Sequence, residues 1–270
     1  MPTMPATPMQ LEGYHAVVTG AARGLGAAAA RRFAAEGARV AMADIDLAAV
    51  QECARSIDPG GRQVIALACD IADAAACESL VRASEAFFGA PIDVFLAHAG
   101  MGFAGALAEA DPAQIRRIVE VNVLGAMFSA RAALPSLARS RRAASLIFTS
   151  SLQGVTARAQ RSVYTASKHA IVGLTKALAL EVAPQGVRVN AIAPASTDTP
   201  FLRAQLQASG AADIDRAVAD VAASVPLGRL PTPEDFADAA VFLASPAARS
   251  ITGHNLVIDC GASAGIFKRT

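Results

Sequence analysis

Tyr164 and Lys168 stand four positions apart in a run with helical periodicity, so both side chains leave the same face. A free phenol titrates near ~10 and is a poor base at neutral pH. An ammonium on the same face favours the phenolate and draws that value down. The tyrosine then enters the range useful for moving a proton to or from an alcohol or carbonyl oxygen. Such a pair also arises by chance on solvated helices, so its companions decide its meaning. Ser151 follows an apolar run, Ser145–Thr149, and precedes Tyr164 by thirteen residues. Open α/β sheets gather ligands at the carboxyl ends of strands, where this hydroxyl could hold a reacting oxygen. Asn122 lies within another helical run, where asparagine is disfavoured and often bends the helix or bonds water.

A second set of residues suits a dinucleotide. The run His15–Thr19 passes directly into Gly20, Ala21, Ala22, Arg23, Gly24, Leu25 and Gly26. Glycine there permits positive φ and lets a pyrophosphate approach the backbone without meeting a Cβ. The helix that starts at Leu25 offers its free N–H groups and positive end to the phosphates. Asp44, after Arg39–Ala43, stands where a carboxylate accepts hydrogen bonds from an adenosine ribose. It would also repel a 2′-phosphate, which favours NAD over NADP, and Ile45 brings no charge to offset it. Arg23 is the competing signal, since it could reach such a phosphate from the glycine loop. Asp70 is expected at the adenine edge, with Ile71 packing nearby. Alone, Asp44 could merely start a turn and Asp70 could merely cap a helix.

These residues need a frame, and the chain supplies one by alternation. Strand candidates are His15–Thr19, Arg39–Ala43, Gln63–Ala68, Asp93–Ala97, Ser145–Thr149, Val187–Ile192 and Asn255–Ile258. Between them run helical patterns at Leu25–Glu36, from Leu47, from Ala74, from Asp111–Pro112 through Asn122 toward Pro135, and from Arg161 to Val182. Gly37 closes the first of these helices, and Thr232–Ala244 is a capped helix before the last strand. Strand, helix, strand repeated in this way predicts an α/β, Rossmann-type doubly wound parallel sheet with helices on both faces. No linker or internal repeat divides it, so residues 11–270 read as one domain. Residues 1–10 read as a loose tail, and about 195–225 as a lid between prolines.

Bulk chemistry narrows the partners. Lys and Arg number 24 against 23 acids, and no basic stripe extends beyond Arg139, Arg141 and Arg142 at a helix end. With two Tyr and no Trp there is no platform for stacking bases, which disfavours nucleic acid. No uninterrupted apolar segment reaches the roughly 18 residues of a membrane span. The first ten residues lack a secretory pattern. Cys53, Cys69, Cys77 and Cys260 show neither a CxxC pair nor metal-ligand spacing. They fit reduced thiols in the cytoplasm.

Taken together, the Thr19–Gly26 motif, Asn122 in Val-Asn-Val, Ser150–Ser151 and the stretch Tyr164–Lys168 resemble the short-chain dehydrogenase/reductase family along essentially the whole chain. The resemblance implies an oxidoreductase interconverting a secondary alcohol and a ketone. Tyr164 would pass the proton and Ser151 would polarise the substrate oxygen. Lys168 would lower the tyrosine pKa and bind the nicotinamide ribose, and Asn122 would hold a relay water. Tyr164, Ala99, Gly100, Pro194, Thr197 and Thr199 would join the glycine loop around the cofactor, with no metal. A homotetramer is implied, built through the two long helices and the last strand.

Three places depart from the family pattern. His98–Ala99–Gly100 replaces Asn-Ala-Gly, Pro194–Ala195 replaces Pro-Gly, and Asp259–Cys260–Gly261 replaces Asp-Gly-Gly. His98 is expected to tie strands together, as the asparagine does. Met101, Phe103, Val155, Phe201 and Leu202 are expected to make the substrate pocket apolar, with Gln153 and Arg158 available for a polar group. An NADP-dependent carbonyl reductase and a non-catalytic dinucleotide-binding regulator are the rival readings.

Overall fold

The computed structural model describes residues 9–208, 210–265 and 267, without the side chains of residues 200, 201, 205 and 208. Residues 1–8 of the expected tail and the side chain of Phe201 lie outside the described residues. The chain joins the fold at Leu11, which is fully buried.

Seven parallel strands form one sheet in the order β3-β2-β1-β4-β5-β6-β7. They are β1 His15–Thr19, β2 Arg39–Asp44, β3 Val64–Ala68, β4 Val94–Ala97, β5 Ser145–Thr149, β6 Arg188–Pro194 and β7 Asn255–Ile258. Successive residues point to opposite faces, and both faces are covered, so the central strands are apolar throughout. Val18, Met42, Leu96 and Ile147 face one core; Val17, Ala41, Phe95 and Phe148 face the other.

The first core is closed by α1 (Gly24–Ala35) and α9 (Pro233–Ala244), which meet through Ala29, Ala30, Ala240 and Ala244 around Phe33 and Phe236. Small side chains let these helices approach closely, so a chain rich in alanine needs few aromatics to fill its core. Thr232 begins α9 with a reciprocal capping box to Asp235. α2 (Leu47–Ile57) joins β2 to β3. The second core lies under α3 (Ala74–Phe88), α5 (Gly125–Leu137) and α6 (Ser162–Val182). α7 (Pro200–Ala208) and α8 (Ile214–Ala223) occupy the expected lid.

Asp111 caps α4 (Pro112–Val119), with Pro112 in its first turn. From there the helix runs through a π-turn at Glu120–Leu124 into α5. The combined run, Pro112–Leu137, is by length and composition long and apolar enough to cross a membrane. Arg116, Arg117 and Glu120 interrupt its sequence, and Ala126, Ala130, Ala133 and Leu137 are spent on the sheet. It serves here as a core helix.

Between β1 and β4 the winding reverses, and ligands of such sheets bind in the crevice at the strands' carboxyl ends. Past β7, Cys260 adopts a left-handed φ of 53°, a conformation that costs a side chain about 1 kcal/mol or more. Cys260→Gly should therefore raise the denaturation midpoint by the equivalent of roughly 0.5–1 kcal/mol. A fall in midpoint would show that the thiol's packing outweighs the backbone strain.

Candidate active site

The residues expected to do chemistry collect on that one edge of the sheet. Gly20 follows β1, Asp44 ends β2, Ala99 and Gly100 follow β4, Ser151 follows β5, and Pro194 ends β6.

The glycine loop is shaped by close approach. A Cβ on Gly26 would stand 2.2 Å from the Gly20 carbonyl oxygen, and one on Gly20, whose φ is +67°, 2.8 Å from Ala99 Cα. At the start of α1, by contrast, nothing lies within 4 Å of where a Cβ on Gly24 would be. The first-turn N–H groups of Gly24, Leu25 and Gly26 have no partner within the helix and carry its positive end. Open space over unpaired donors fits a dinucleotide's pyrophosphate.

Asp44 has a structural duty as well. Its Oδ2 accepts from the Ala22 N–H at 3.1 Å and its Oδ1 from the Asp46 N–H at 3.1 Å. These bonds hold the glycine loop to β2, and each oxygen keeps a further acceptor site. Ile45 is exposed beside it. The Arg23 guanidinium, exposed on the loop, pairs with Asp46 Oδ2 at 3.1 Å. Asp46 was missed in the sequence, although an aspartate before Leu47 reads as the helix cap it is, bonded to Ala49 N–H.

Asp70 accepts from Arg117 of α4 at 3.2 Å and from the Ala72 N–H at 3.0 Å. The Ile71 side chain is buried against Gly125. Beyond β6, Ala195 N–H bonds the Ile258 carbonyl of β7. The hydroxyl of Thr197 bonds the Ala195 carbonyl at 3.2 Å, and that of Thr199 bonds the Thr197 carbonyl at 3.2 Å. Both hydroxyls hold this loop in shape.

His98 spans two strands. Its N–H and that of Ala99 donate to Thr19 Oγ1 on β1, while its Nδ1 lies 3.0 Å from Thr149 Oγ1 on β5. Burial, with Lys168 nearby, lowers its pKa to about 4, so the ring is neutral at pH 7.

The catalytic residues meet at the start of α6. Lys168 is buried, and its Nζ donates to the Thr149 carbonyl at 2.9 Å. Burial brings its pKa down to about 8. Its Nζ lies 5.7 Å from the Tyr164 ring centroid. Burial raises the Tyr164 pKa, against the lowering effects of Ser151 and Arg161. The lowering expected from Lys168 is outweighed: its ammonium is bonded to Thr149, and burial of the phenol sets the direction. Ser150 turns away from the site, donating to the Ile192 carbonyl and to Asn255 Oδ1.

Asn122 sits in the π-turn, where Gly125 N–H reaches the Glu120 carbonyl five residues back. Its Oδ1 accepts from Met101 N–H at 2.8 Å. Its Nδ2 donates to the Met101 carbonyl at 2.9 Å and to Ser167 Oγ at 3.1 Å. The side chain thus clamps the segment after β4 to α6. Gly100 follows closely, since a Cβ there would be 3.1 Å from Asn122 Oδ1 and 3.6 Å from Lys168 Nζ.

Beside Ser151 lies a cavity of about 260 Å³, lined by Leu152, Arg158 and Ala195 and by Val221 and Val225 of the lid region. Phe103 is buried instead in a cluster with Ile118 and Val163, against which Tyr164 and Met101 pack. Leu202 is buried and Val155 is exposed.

Residues 20–263 match the enoyl-(acyl carrier protein) reductase model of the short-chain dehydrogenase/reductases. The chain is 38% identical to sex determination protein tasselseed-2 of Zea mays, covering 94% of this chain and 82% of that protein. It is 37% identical to the cis-4-hydroxycyclohexanecarboxylate dehydrogenase of Sinomonas cyclohexanicum, covering 92% and 96%. The structure of a 3-ketoacyl-(acyl-carrier-protein) reductase from Brucella melitensis, complexed with NADH, superposes with a TM-score of 0.83 at 34% identity, covering 94% and 99%. With its site geometry and these relatives, the chain belongs to the short-chain dehydrogenase/reductase family, as an NAD(P)-dependent oxidoreductase acting on CH–OH groups.

Proposed function

We propose that this enzyme oxidises a secondary alcohol to a ketone with NAD, using Tyr164 as general base and, in reverse, as general acid. The observation that carries the reading is the convergence of Ser151, Tyr164 and Lys168 at the carboxyl end of β5, with Gly100 close to Lys168 and an open glycine loop after β1. When bound, NAD accepts the hydride from the substrate carbon. Ser151 orients the substrate oxygen toward Tyr164, which takes the hydroxyl proton. Lys168, mainly an ammonium at neutral pH but a readier proton donor than an ordinary lysine, holds positive charge near the phenol. Asn122 fixes the Met101 backbone and Ser167, and so the distance between the wall after β4 and α6.

Preference for NAD rests on charge around the ribose position. Asp44 and Asp46 are two carboxylates against one guanidinium, Arg23, which is already paired. A 2′-phosphate would meet net negative charge there. Asp44→Ala should narrow the ratio of kcat/KM for NAD over NADP at least ~10-fold, as expected for lost charged hydrogen bonds. An unchanged ratio in a folded variant would remove Asp44 from the ribose site.

The four cysteines are unpaired, which suits a reducing compartment, and we assign the enzyme to the cytoplasm. A homotetramer follows the same reading. A groove of about 420 Å³ runs between α5 and α6, lined by Met127, Leu134, Leu174 and Leu178, and Leu180 next to it is 82% exposed. Apolar surface of this kind marks a protein contact.

A further inference from the structure

Ser151 and Tyr164 come to the site on different segments. Ser151 follows β5, Tyr164 lies in the first turn of α6, and residues 155–160 between them are exposed. A chain of two hydrogen bonds ties these segments together. The hydroxyl of Thr165, next to Tyr164 in α6, donates to Gln153 Oε1 at 3.0 Å. The Gln153 backbone N–H in turn donates to Ser151 Oγ at 3.1 Å. The Ser151 carbonyl accepts from the Gly154 N–H at 2.7 Å, so the short turn Leu152–Gly154 is built on this serine. That turn lies flush on α6: a Cβ on Gly154 would stand 3.0 Å from the Lys168 carbonyl oxygen and 3.1 Å from Val172 Cγ2. The side-chain oxygen of Gln153 is thus engaged by the protein itself.

A serine hydroxyl has one donor and two acceptor sites. With the Gln153 N–H on one acceptor site, Ser151 keeps its own O–H for a substrate oxygen, and the N–H strengthens that donation. The reacting oxygen must lie within hydrogen-bond reach of both Ser151 and Tyr164, so the spacing of the two segments bears on rate. A misplacement on the order of 1 Å costs up to ~100-fold. We propose that Thr165 is a positioning residue, which through Gln153 fixes the Ser151 hydroxyl relative to Tyr164. The proposal rests on the reading of Ser151 and Tyr164 as the groups that orient and deprotonate the alcohol, and adds what holds them in register.

Steady-state kinetics with NAD test this, using the fastest substrate of a panel of cyclohexanol, 2,3-butanediol and 4-hydroxycyclohexanecarboxylate. Thr165→Val, which keeps the shape of threonine without its hydroxyl, should lower kcat ~10-fold and leave KM for NAD unchanged. Its NADH affinity and thermal midpoint should stay near the wild-type values, because water readily replaces a half-buried hydroxyl bond. Thr165→Ser should recover most of the lost kcat. Gln153→Met should match Thr165→Val, and the double variant should be no slower than either, since each change removes the same bond. Wild-type kcat in Thr165→Val overturns the proposal, and so does a Thr165→Ser variant as slow as Thr165→Val. A double variant ~100-fold slower than wild type would mean two independent roles and overturns it too. A loss of NADH affinity as large as the loss of kcat would reduce the bond to a support of the fold. Ser151→Ala separates the proposal from the reading beneath it. A slow Ser151→Ala beside a fast Thr165→Val leaves the dehydrogenase reading standing and removes Thr165 from it. Full activity in Ser151→Ala, or turnover of no member of the panel by wild type, overturns the reading and the proposal together.

Discussion

Tyr164→Phe is expected to lower kcat for alcohol oxidation by about 10³-fold, the scale of a lost general acid–base. The variant should still fold, because it removes a single hydroxyl at a cost of about 1 kcal/mol at most, and should still bind NADH. The wild-type pH profile carries the same information. Burial raises the Tyr164 pKa, so the phenolate that oxidation requires is scarce at neutral pH in the free enzyme. Oxidation measured as kcat/KM should climb with pH through the neutral and alkaline range, and ketone reduction should fall. Tyr164→Phe should flatten both. Substantial activity in that variant would mean that another group moves the proton.

Lys168→Met is expected to be inactive and yet more stable. In the folded chain Lys168 titrates at about 8, against an ordinary value of 10.5, because its ammonium is buried with the Thr149 carbonyl as partner. Between those values the unfolded chain holds more protons, so Lys168 makes stability rise with pH across that window. Below pH 8 the folded protein bears the full penalty of the buried charge, about 3 kcal/mol. Methionine removes the charge at similar volume. The variant should gain roughly 1–3 kcal/mol at pH 7, a gain that fades as pH approaches 10.5, with turnover reduced at least ~100-fold. Loss of stability at pH 7 would show that the Thr149 bond outweighs desolvation.

Much of this was legible in the sequence because the relevant signals are local. The strands His15–Thr19, Ser145–Thr149 and Asn255–Ile258 appear where their apolar runs place them, bounded by turn residues. Asp111–Pro112 and Thr232 announce their helices by capping chemistry that needs no tertiary contact. What stayed hidden depends on residues distant in sequence. The π-turn at Asn122 goes with a clamp on Met101 and Ser167, and spacing within one helix carries no trace of either. Arg117 reaches Asp70 across 47 positions. Ile71 follows an aspartate near the cleft, but Gly125 opens a space that draws its side chain inward. The Tyr164 pKa failed for a related reason. Four-residue spacing establishes proximity to Lys168, whereas the direction of the shift depends on how much water the fold removes.

Everything proposed for the catalytic residues presupposes that the cleft over Gly24 and Asp44 holds NAD. Titrating the purified chain separately with NADH and with NADPH, by nicotinamide fluorescence or calorimetry, tests this directly. Saturable binding with clear preference for NADH is the expected result. Preference for NADPH would overturn the reading of Asp44 and Asp46, and binding of neither would contradict the assignment of the cleft itself.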